Sequence, residues 1–170
     1  MKGLFDMAGL EETEAVRLDA HERRILIELQ DDARLTNQDL AQRVGLSPSA
    51  CWRRVKALEE SGVILRYATI LDPKKVGLGE CVFAHVTLTR HSLAATHEFA
   101  DAIRNRPEVM ECFFTTGDAD ILMRVATPSV SAYDKFLEEF VFSAPGISQV
   151  RSNFALRQIK FETALPLRVE

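Results

Sequence analysis

The stretch LAQRVGLSPSACWRRVKALEESGVI, residues 40–64, determines the predicted fold of the first part of the chain. Gly45 follows a short amphipathic segment and predicts a helix end there, because glycine adopts a left-handed backbone without steric cost. Ser47 can cap the next helix, and Pro48 suits the first helical position, where a missing N–H does no harm. Two helices separated by a short turn containing glycine have the spacing of a helix-turn-helix.

The residues on either side of this motif extend it to three helices and a strand. Asp19 and Glu22 have the spacing of a capping box, in which each residue accepts a backbone N–H of the other. Thr36 can cap the second helix, and Asp39 follows it at the third position. The predicted elements are helices over about 20–32, 37–44 and 47–60 and a wing strand over 63–71, which ends at Asp72-Pro73.

The second half of the chain has the alternating pattern of strands. Apolar residues recur at every second position over residues 82–88, which predicts a strand with one buried face. There follow a helix capped by Ser92 and ending before Pro107, strands over 109–115 and 121–125, a helix carrying residues 133–141, a strand over 148–158 and a short last strand over 160–165. This β-α-β-β-α-β order is that of a ferredoxin-like sheet with helices on one face. The other face would be exposed, which predicts self-association.

Composition and charge exclude some classes of protein. With 170 residues, 46% of them hydrophobic, the chain can form one medium domain or two small ones. No apolar run approaches the ~20 residues of a membrane span, and the N-terminal residues lack a signal-peptide pattern. We therefore expect a cytoplasmic protein without a membrane partner. The net charge of −4 argues against a polycation that coats nucleic acid, but it leaves a local basic face open.

The sequence lacks the patterns of catalytic, metal and cofactor sites. Cys51, Cys81 and Cys112 are far apart without CxxC spacing, so we expect structural thiols, with neither a disulfide nor a zinc site. The histidines accompany no nucleophile in a recognisable signature, and no GxGxxG or P-loop pattern occurs. Ferredoxin-like domains also occur in small enzymes. On these patterns we nevertheless predict no metal, no cofactor and no enzymatic activity.

The third predicted helix has an apolar side and a basic side. At about 100° per residue, one side carries Cys51, Val55, Leu58 and Gly62, and the opposite side carries Ser49, Arg53, Lys56 and Glu60. Residues 43–66 include five basic and two acidic residues, which fits a duplex-binding face because arginine bonds guanine edges and phosphate. A solvated face pairing with Glu59 and Glu60 and a protein-binding role for the motif are the alternatives. The predicted DNA-binding residues are Thr36, Asn37, Arg43, Ser47, Pro48, Ser49, Ala50, Arg53, Arg54 and Lys56.

These motifs together closely resemble the Lrp/AsnC family of bacterial and archaeal feast/famine regulators. The resemblance is carried by residues 40–64 quoted above, by PEVMECFFTTGDADILMRV over 107–125 and by APGISQVRSNFAL over 144–156, and it covers about 18–165. Within the family, CWRRVKALE, ILDPKKVGLG and QIKFETALPL look most like cysteine-responsive members.

The resemblance implies an α+β chain with an N-terminal winged helix-turn-helix followed by a ferredoxin-like βαββαβ ligand-sensing domain. The expected parts are a flexible acidic leader over 1–16, a DNA-binding domain over 17–65, a linker strand and hinge over 66–79, and an effector-binding and oligomerisation domain over 80–170. The resemblance also implies double-stranded DNA as partner. It further implies dimers formed by sheet faces, which assemble further into tetramers or octamers.

An amino-acid effector is a further implication of the resemblance, which puts its site between dimers near residues 116–120. Gly117 lets the backbone come close to a ligand, and Asp118 or Asp120 could receive an ammonium group. The alternative is that these residues only form a tight turn. The resemblance alone adds Arg151 and Ser152. The candidate effector-binding residues are Thr116, Gly117, Asp118, Asp120, Arg151 and Ser152.

Overall fold

The computed structural model describes residues 15–89, 93–144 and 146–168. These residues form two compact units, one made of residues 15–69 together with 160–168 and the other of residues 70–159. Most of the predicted leader, and the predicted cap Ser92, lie outside the described residues. Within the described residues, no helix is long and apolar enough to cross a membrane.

The first unit contains the three predicted helices, which are α1 (Ala20–Asp31), α2 (Asn37–Val44) and α3 (Pro48–Glu60). The predicted caps are confirmed. Asp19 and Glu22 form the capping box of α1, and Thr36 and Ser47 accept backbone N–H groups at the starts of α2 and α3. Gly45 ends α2 with φ 70°, in the left-handed region that favours glycine. The turn between α2 and α3 is therefore that of a helix-turn-helix.

Buried apolar side chains of all three helices form the core of this unit, with a contribution from the far end of the chain. The fully buried members are Ile25, Leu26, Leu40, Ala41, Val44, Cys51 and Leu58. Leu167 packs against them. The side-chain amide of Gln30 bonds the main chain of Leu165 twice, accepting its N–H at 2.6 Å and donating to its carbonyl at 3.2 Å. Residues 160–168 thus belong structurally to the helical unit.

The prediction of a last strand over residues 160–165 was wrong. No strand is assigned to these residues, and they are exposed. The backbone groups of Leu165 bond the Gln30 side chain instead of a neighbouring strand. A strand needs a partner for its N–H and C=O groups, and here a helix surface supplies the partner.

The predicted wing strand over 63–71 is also not formed. The backbone N–H of Ile64 donates to the carbonyl of Leu58 at 2.9 Å, which continues the end of α3. Residues 65–71 are exposed and belong to no sheet among the described residues. Their β-branched and aromatic side chains favour an extended backbone, but a ladder requires a second strand.

The second unit has the predicted β-α-β-β-α-β order. Its elements are β1 (Glu80–Leu88), α4 (Leu93–Arg104), β2 (Val109–Phe114), β3 (Ile121–Thr127), α5 (Val130–Phe136) with a π-helical turn (Leu137–Val141), and β4 (Ile147–Phe154). The four strands form an antiparallel sheet in the order β2-β3-β1-β4, which confirms the ferredoxin-like prediction. The last strand, β4, ends at Phe154, earlier than predicted. The N–H of Ala155 donates to the carbonyl of Cys81, close to the first residue of β1, so β1 offers little more backbone to pair with.

One face of the sheet is packed against helices, and the opposite face is open. Val82, Ala84 and Val86 point to the helices and pack with Phe99 of α4 and Phe136 of α5 in one core. The alternate residues of each strand point to the opposite face. That open face carries Phe83, Phe113, His85, Leu122, Arg124 and Arg151, with Phe113 52% exposed. The sheet therefore has one partly apolar face without cover from the described residues, as the sequence predicts.

Candidate nucleic-acid interface and effector loop

The N-terminus of α3 is open to solvent and rich in hydroxyl groups. Ser47, Pro48 and Ser49 are all exposed. The Ser47 Oγ accepts the N–H of Ala50 at 3.3 Å and lies 3.3 Å from the Ser49 Oγ. The first backbone N–H groups of a helix lack partners within the helix and carry a partial positive charge. This end of α3 can therefore meet phosphate oxygens or base edges.

The two sides of α3 follow the prediction from helical spacing. Cys51 and Leu58 are buried in the helical core and Val55 is half-buried, whereas Ser49, Arg53, Lys56 and Glu60 are exposed. Gly62 is exposed rather than inward, because it lies beyond the last turn of the helix. Burial raises the pKa of the Cys51 thiol, so that thiol is neutral near pH 7 and fills the core.

Arg53 and Lys56 differ in their neighbours, although both are exposed. The Lys56 Nζ lies 3.8 Å from a carboxylate oxygen of Glu59 and 4.0 Å from one of Glu60. These are long, exposed pairs within one helix, of the kind that contributes little to stability. Arg53 has no ion pair within residues 15–89, 93–144 and 146–168. The alternative of a solvated, self-paired face therefore describes Lys56 but leaves Arg53 free.

Arg54 points away from the exposed face of α3 and reaches the start of α1. Its Nη1 lies 2.5 Å from the Oδ2 of Asp19 and 3.4 Å from the Oε1 of Glu22. The pKa of Asp19 is lowered, first by the backbone N–H of Glu22 and further by Arg54. Arg54 thus binds both carboxylates of the α1 capping box.

Three other predicted DNA-binding residues also have partners inside the helical unit. The Asn37 Nδ2 donates to the carbonyl of Pro48 at 2.8 Å, and the Thr36 Oγ1 donates to Asp39 at 2.6 Å. The Arg43 Nη1 pairs with the Oε2 of Glu28 at 2.9 Å, and this bond raises the pKa of Arg43. The bonds of Asn37 and Arg43 join α2 to α3 and to α1, and the bond of Thr36 is local to the start of α2.

A shallow groove lies beside the exposed face of α3. Its walls include Leu29, Leu35, Val55, Trp52 and Tyr67, and Trp52 is 57% exposed. The Tyr67 hydroxyl donates to the Oε1 of Glu59 at 3.0 Å. Burial and this carboxylate raise the pKa of Tyr67 to about 12. Sequence reasoning missed the groove, because Tyr67 reaches it from the segment that was predicted to be a strand.

The candidate effector loop connects β2 to β3 and is a tight turn. Gly117 has φ 128°, a backbone conformation that favours glycine. The N–H of Thr115 donates to the carbonyl of Asp120 at 2.9 Å, and its Oγ1 donates to that of Ala119 at 2.7 Å. Thr116 and Gly117 are exposed at the tip. The turn chemistry that the sequence left as an alternative is therefore present.

Asp120 joins this loop to the end of β1. Its N–H donates to the carbonyl of Val86 at 3.0 Å, and its Oδ2 accepts the N–H of Leu88 at 2.7 Å. A carboxylate that accepts a backbone N–H forms one of the stronger hydrogen bonds. The position of Asp120 thus serves the shape of the loop.

Asp118 and Arg151 lie together, whereas Ser152 lies on the other side of the sheet. The Asp118 side chain is 94% exposed, and its Oδ2 is 4.0 Å from the Nη2 of Arg151. The Ser152 Oγ is 2.6 Å from the hydroxyl of Tyr133, which is buried among the helices. Adjacent strand residues point to opposite faces, so Arg151 and Ser152 do not share a pocket.

Among the described residues, the remaining candidate groups do not form a further polar site. Cys51, Cys81 and Cys112 are free thiols. In the described part of the chain, no group of three or more His, Cys, Asp or Glu side chains could hold a metal ion. The Nδ1 of His21 lies 3.3 Å from the carbonyl of Val44, a contact within the helical unit.

Comparison with known protein families assigns a description to each unit. Residues 18–64 match the winged helix-turn-helix DNA-binding family, and residues 81–165 match the Lrp/AsnC ligand binding domain. The chain is 39% identical over 150 residues to the DNA-binding transcriptional activator DecR of Escherichia coli K12, which covers 88% of this chain and 99% of DecR. It is 38% identical over 151 residues to the glutamate uptake regulatory protein of Zymomonas mobilis, covering 89% and 92% of the two chains.

Solved structures agree with this assignment. A transcriptional regulator of Neisseria meningitidis, solved as a complex with L-Met, is similar with a TM-score of 0.84 and 39% identity over 89% of this chain and 97% of that chain. An AsnC family regulator of Agrobacterium tumefaciens is similar with a TM-score of 0.83 and 41% identity over 88% and 97% of the chains. The similarity to both structures extends over both units of this chain. The chain therefore belongs to the Lrp/AsnC family of DNA-binding transcriptional regulators.

Proposed function

We propose that this regulator binds double-stranded DNA in the cytoplasm by inserting α3 into the major groove. The observation that carries the proposal is the exposed Arg53, which has no ion pair among the described residues and lies near the open N-terminus of the same helix. The major groove admits one α-helix, and arginine bonds the two acceptors of guanine or clamps a phosphate. In helix-turn-helix proteins the N-terminal residues of the second helix contact base edges.

The proposed contact residues are those that α3 leaves accessible. Ser47, Pro48, Ser49, Ala50, Arg53 and Lys56 lie on its first turns or its outward side. Thr36, at the N-terminus of α2, is exposed and is a proposed phosphate contact, because the first helix of the motif crosses the DNA backbone. Arg43, exposed at the end of α2 and paired with Glu28, is a further proposed DNA contact.

We further propose that the protein acts as a symmetric dimer, which assembles into tetramers or octamers. The open sheet face carries exposed Phe83 and Phe113, and residues 65–71 carry exposed apolar side chains. Burial of such surface between two copies removes it from water. A dimer would present two α3 helices to half-sites about 34–36 Å apart, one turn of the DNA helix.

The proposed effector is an amino acid held at the loop between β2 and β3. Asp118 and Arg151 offer opposite charges 4.0 Å apart, which suit the ammonium and carboxylate groups of an amino acid. Both side chains are largely exposed, so a neighbouring subunit is needed to enclose the ligand. L-Cysteine and L-methionine are the first effectors to test. Cysteine follows from the resemblance of residues 51–59, 70–79 and 158–167 to cysteine-responsive members, and methionine from the complex of the neisserial relative.

Fluorescence anisotropy tests the proposal with DNA from upstream of the protein's own gene. The duplex is titrated with protein at two salt concentrations, with and without each common amino acid. We expect binding that weakens steeply as salt rises and changes with one amino acid. Binding that is absent at low salt would contradict DNA binding, and binding that is equal at both salt concentrations would contradict recognition of the duplex through arginine and lysine side chains. Salt-dependent binding that no amino acid changes would contradict the effector site alone.

A further inference from the structure

We infer that Asn37 of α2 and Arg54 of α3 are positioning residues that set the orientation of α3 on DNA without contacting DNA. The inference depends on the proposed reading of the major groove by α3. Both side chains belong to the basic or polar surface that the sequence predicts to bind DNA. In the structure, however, one side-chain nitrogen of each is bonded to another part of the helical unit.

Asn37 connects the first residues of the two helices of the motif. It is the first residue of α2, and its Nδ2 donates at 2.8 Å to the carbonyl of Pro48, the first residue of α3. The side chain is half-buried. In the proposed complex the N-terminus of α2 faces the DNA backbone and the N-terminus of α3 faces the major groove. The bond between them therefore fixes the distance between a phosphate-binding end and a base-reading end.

Arg54 fixes α3 from the other side, against α1. One guanidinium nitrogen lies near both Asp19 and Glu22, at 2.5 and 3.4 Å. The side chain is 32% exposed. The planar guanidinium carries five donors in a rigid fork, whereas lysine offers a single point charge. Nη1 is thus shared between two carboxylates, which hold the guanidinium against the start of α1.

The neighbouring Arg53 provides a natural contrast. Adjacent helical residues project about 100° apart, and Arg53 is exposed with no ion pair in the described part of the chain. The two arginines thus have the same charge and adjacent positions but different directions. If Arg53 contacts DNA and Arg54 positions α3, their substitutions will change different properties of binding.

Positioning and contact are distinguishable by salt dependence and by sequence discrimination. Loss of a phosphate contact weakens binding to all sequences and reduces the salt slope by about 1. Loss of a positioning residue lets α3 rotate or shift, which weakens base contacts without changing the number of neutralised phosphates. The selected-to-unrelated affinity ratio should then fall about tenfold, the value of one good base contact, while the salt slope stays constant.

The experiment uses the full chain and two duplexes. One is the tightest duplex that the wild-type protein selects from a random pool, and the other is an unrelated duplex of equal length. Affinities are measured at four salt concentrations for Arg53→Ala, Arg54→Ala, Arg54→Lys and Asn37→Ala. We expect a smaller salt slope for Arg53→Ala. Arg54→Ala and Asn37→Ala should keep the slope and lose discrimination, and Arg54→Lys should also lose discrimination although it keeps the charge.

A variant on α1 tests whether Arg54 acts through its partners. Asp19→Asn/Glu22→Gln keeps side chains that can cap the helix but removes both charges. If Arg54 positions α3 through these residues, this variant also loses discrimination. If Arg54 contacts DNA, removing its competing carboxylates leaves the ratio unchanged or raises it. A reduced salt slope for Arg54→Ala, or full discrimination by Arg54→Lys, would likewise overturn the inference.

Folding is checked by circular dichroism and thermal unfolding of each variant. If Asn37→Ala does not fold, Asn37→Asp replaces it, because a carboxylate is favourable in the first turn of α2 but cannot donate to the Pro48 carbonyl. Full discrimination by a folded Asn37 variant would contradict its role. The wild-type measurement distinguishes failure of the proposed function from failure of the positioning role. Salt-independent binding by the wild type refutes the proposed function, whereas salt-dependent binding with a contact-like Arg54 refutes the positioning role alone.

Discussion

Alanine substitutions at Asp118 and Asp120 should have different effects, although the two residues lie in one loop. Asp120 accepts the backbone N–H of Leu88 at 2.7 Å and ties the loop to β1. Asp118 is 94% exposed and lies 4.0 Å from Arg151. Asp120→Ala therefore removes a bond that shapes the loop, and Asp118→Ala removes a charge that faces solvent.

The size of the effect at Asp120 follows from this bond. A hydrogen bond to a charged group contributes about 1.5–3 kcal/mol when both partners are shielded. Asp120 is exposed, so water replaces part of the lost contact, and we expect Asp120→Ala to cost about 1 kcal/mol. That corresponds to a decrease in Tm of roughly 4–8 °C for a domain of about 60–100 residues. Asp118→Ala should leave Tm unchanged, because exposed ion pairs contribute little.

Thermal unfolding and amide hydrogen exchange measure these differences. In Asp120→Ala the Leu88 amide should exchange faster, because its acceptor is gone. Asp118→Ala should exchange like the wild type but lose the amino-acid effect on assembly, with DNA binding by the dimer intact. Equal losses of Tm in the two variants, or unchanged exchange at Leu88 in Asp120→Ala, would refute the assignment of separate roles. A normal amino-acid response in Asp118→Ala would show that the loop serves as a turn only.

Three further predictions concern the cores and pH. Gln30→Ala should destabilise the helical unit by about 1–2 kcal/mol through loss of its two main-chain bonds, measured by hydrogen exchange, with exposed Gln42→Ala as the neutral control; equal protection in both variants would contradict it. Tyr133→Phe should cost about 1 kcal/mol in urea unfolding, and the double variant with Ser152→Ala should cost less, because both partners of the 2.6 Å bond are then removed. The pKa of Asp19 lies below its ordinary 3.8 in the folded chain, so its charge stabilises the fold above that pH and ceases to do so as pH falls through the folded value. The Tm difference between wild type and Asp19→Asn should shrink from pH 6 to pH 3. A difference that grows as the pH falls would contradict a lowered pKa of Asp19 in the folded chain.

Local signals in the sequence predict most of the fold. Helix caps such as Asp19 and Ser47 and the left-handed Gly45 are decided by neighbouring residues, so the helix bounds are accurate to about one residue. The strand over 63–71 has a suitable pattern but no partner strand in the described chain. Strand formation depends on a second segment, which local pattern does not reveal.

For the same reason, the sequence does not distinguish the roles of neighbouring residues in the candidate sites. The sequence places Arg53 and Arg54 side by side with equal charge, and only the packing of α1 against α3 distinguishes them. Likewise, Asp118 and Asp120 are the same residue type, but Asp120 accepts the N–H of Leu88 at the end of β1. Residue type and spacing predict where a binding face lies. Contacts between segments distant in sequence decide which of its side chains remain available.

The packing of Leu167 on the helical core has a consequence for synthesis of the protein. Chains are synthesised at about 5–20 residues per second. About 100 residues separate the end of the helix-turn-helix from Leu165, so the three helices are made about 5–20 s before the segment that packs on them. During that interval the Gln30 amide and the site of Leu167 are open to solvent. We therefore expect a chain interrupted before residue 165 to carry a less stable DNA-binding unit and to be degraded by proteases more readily than the full chain.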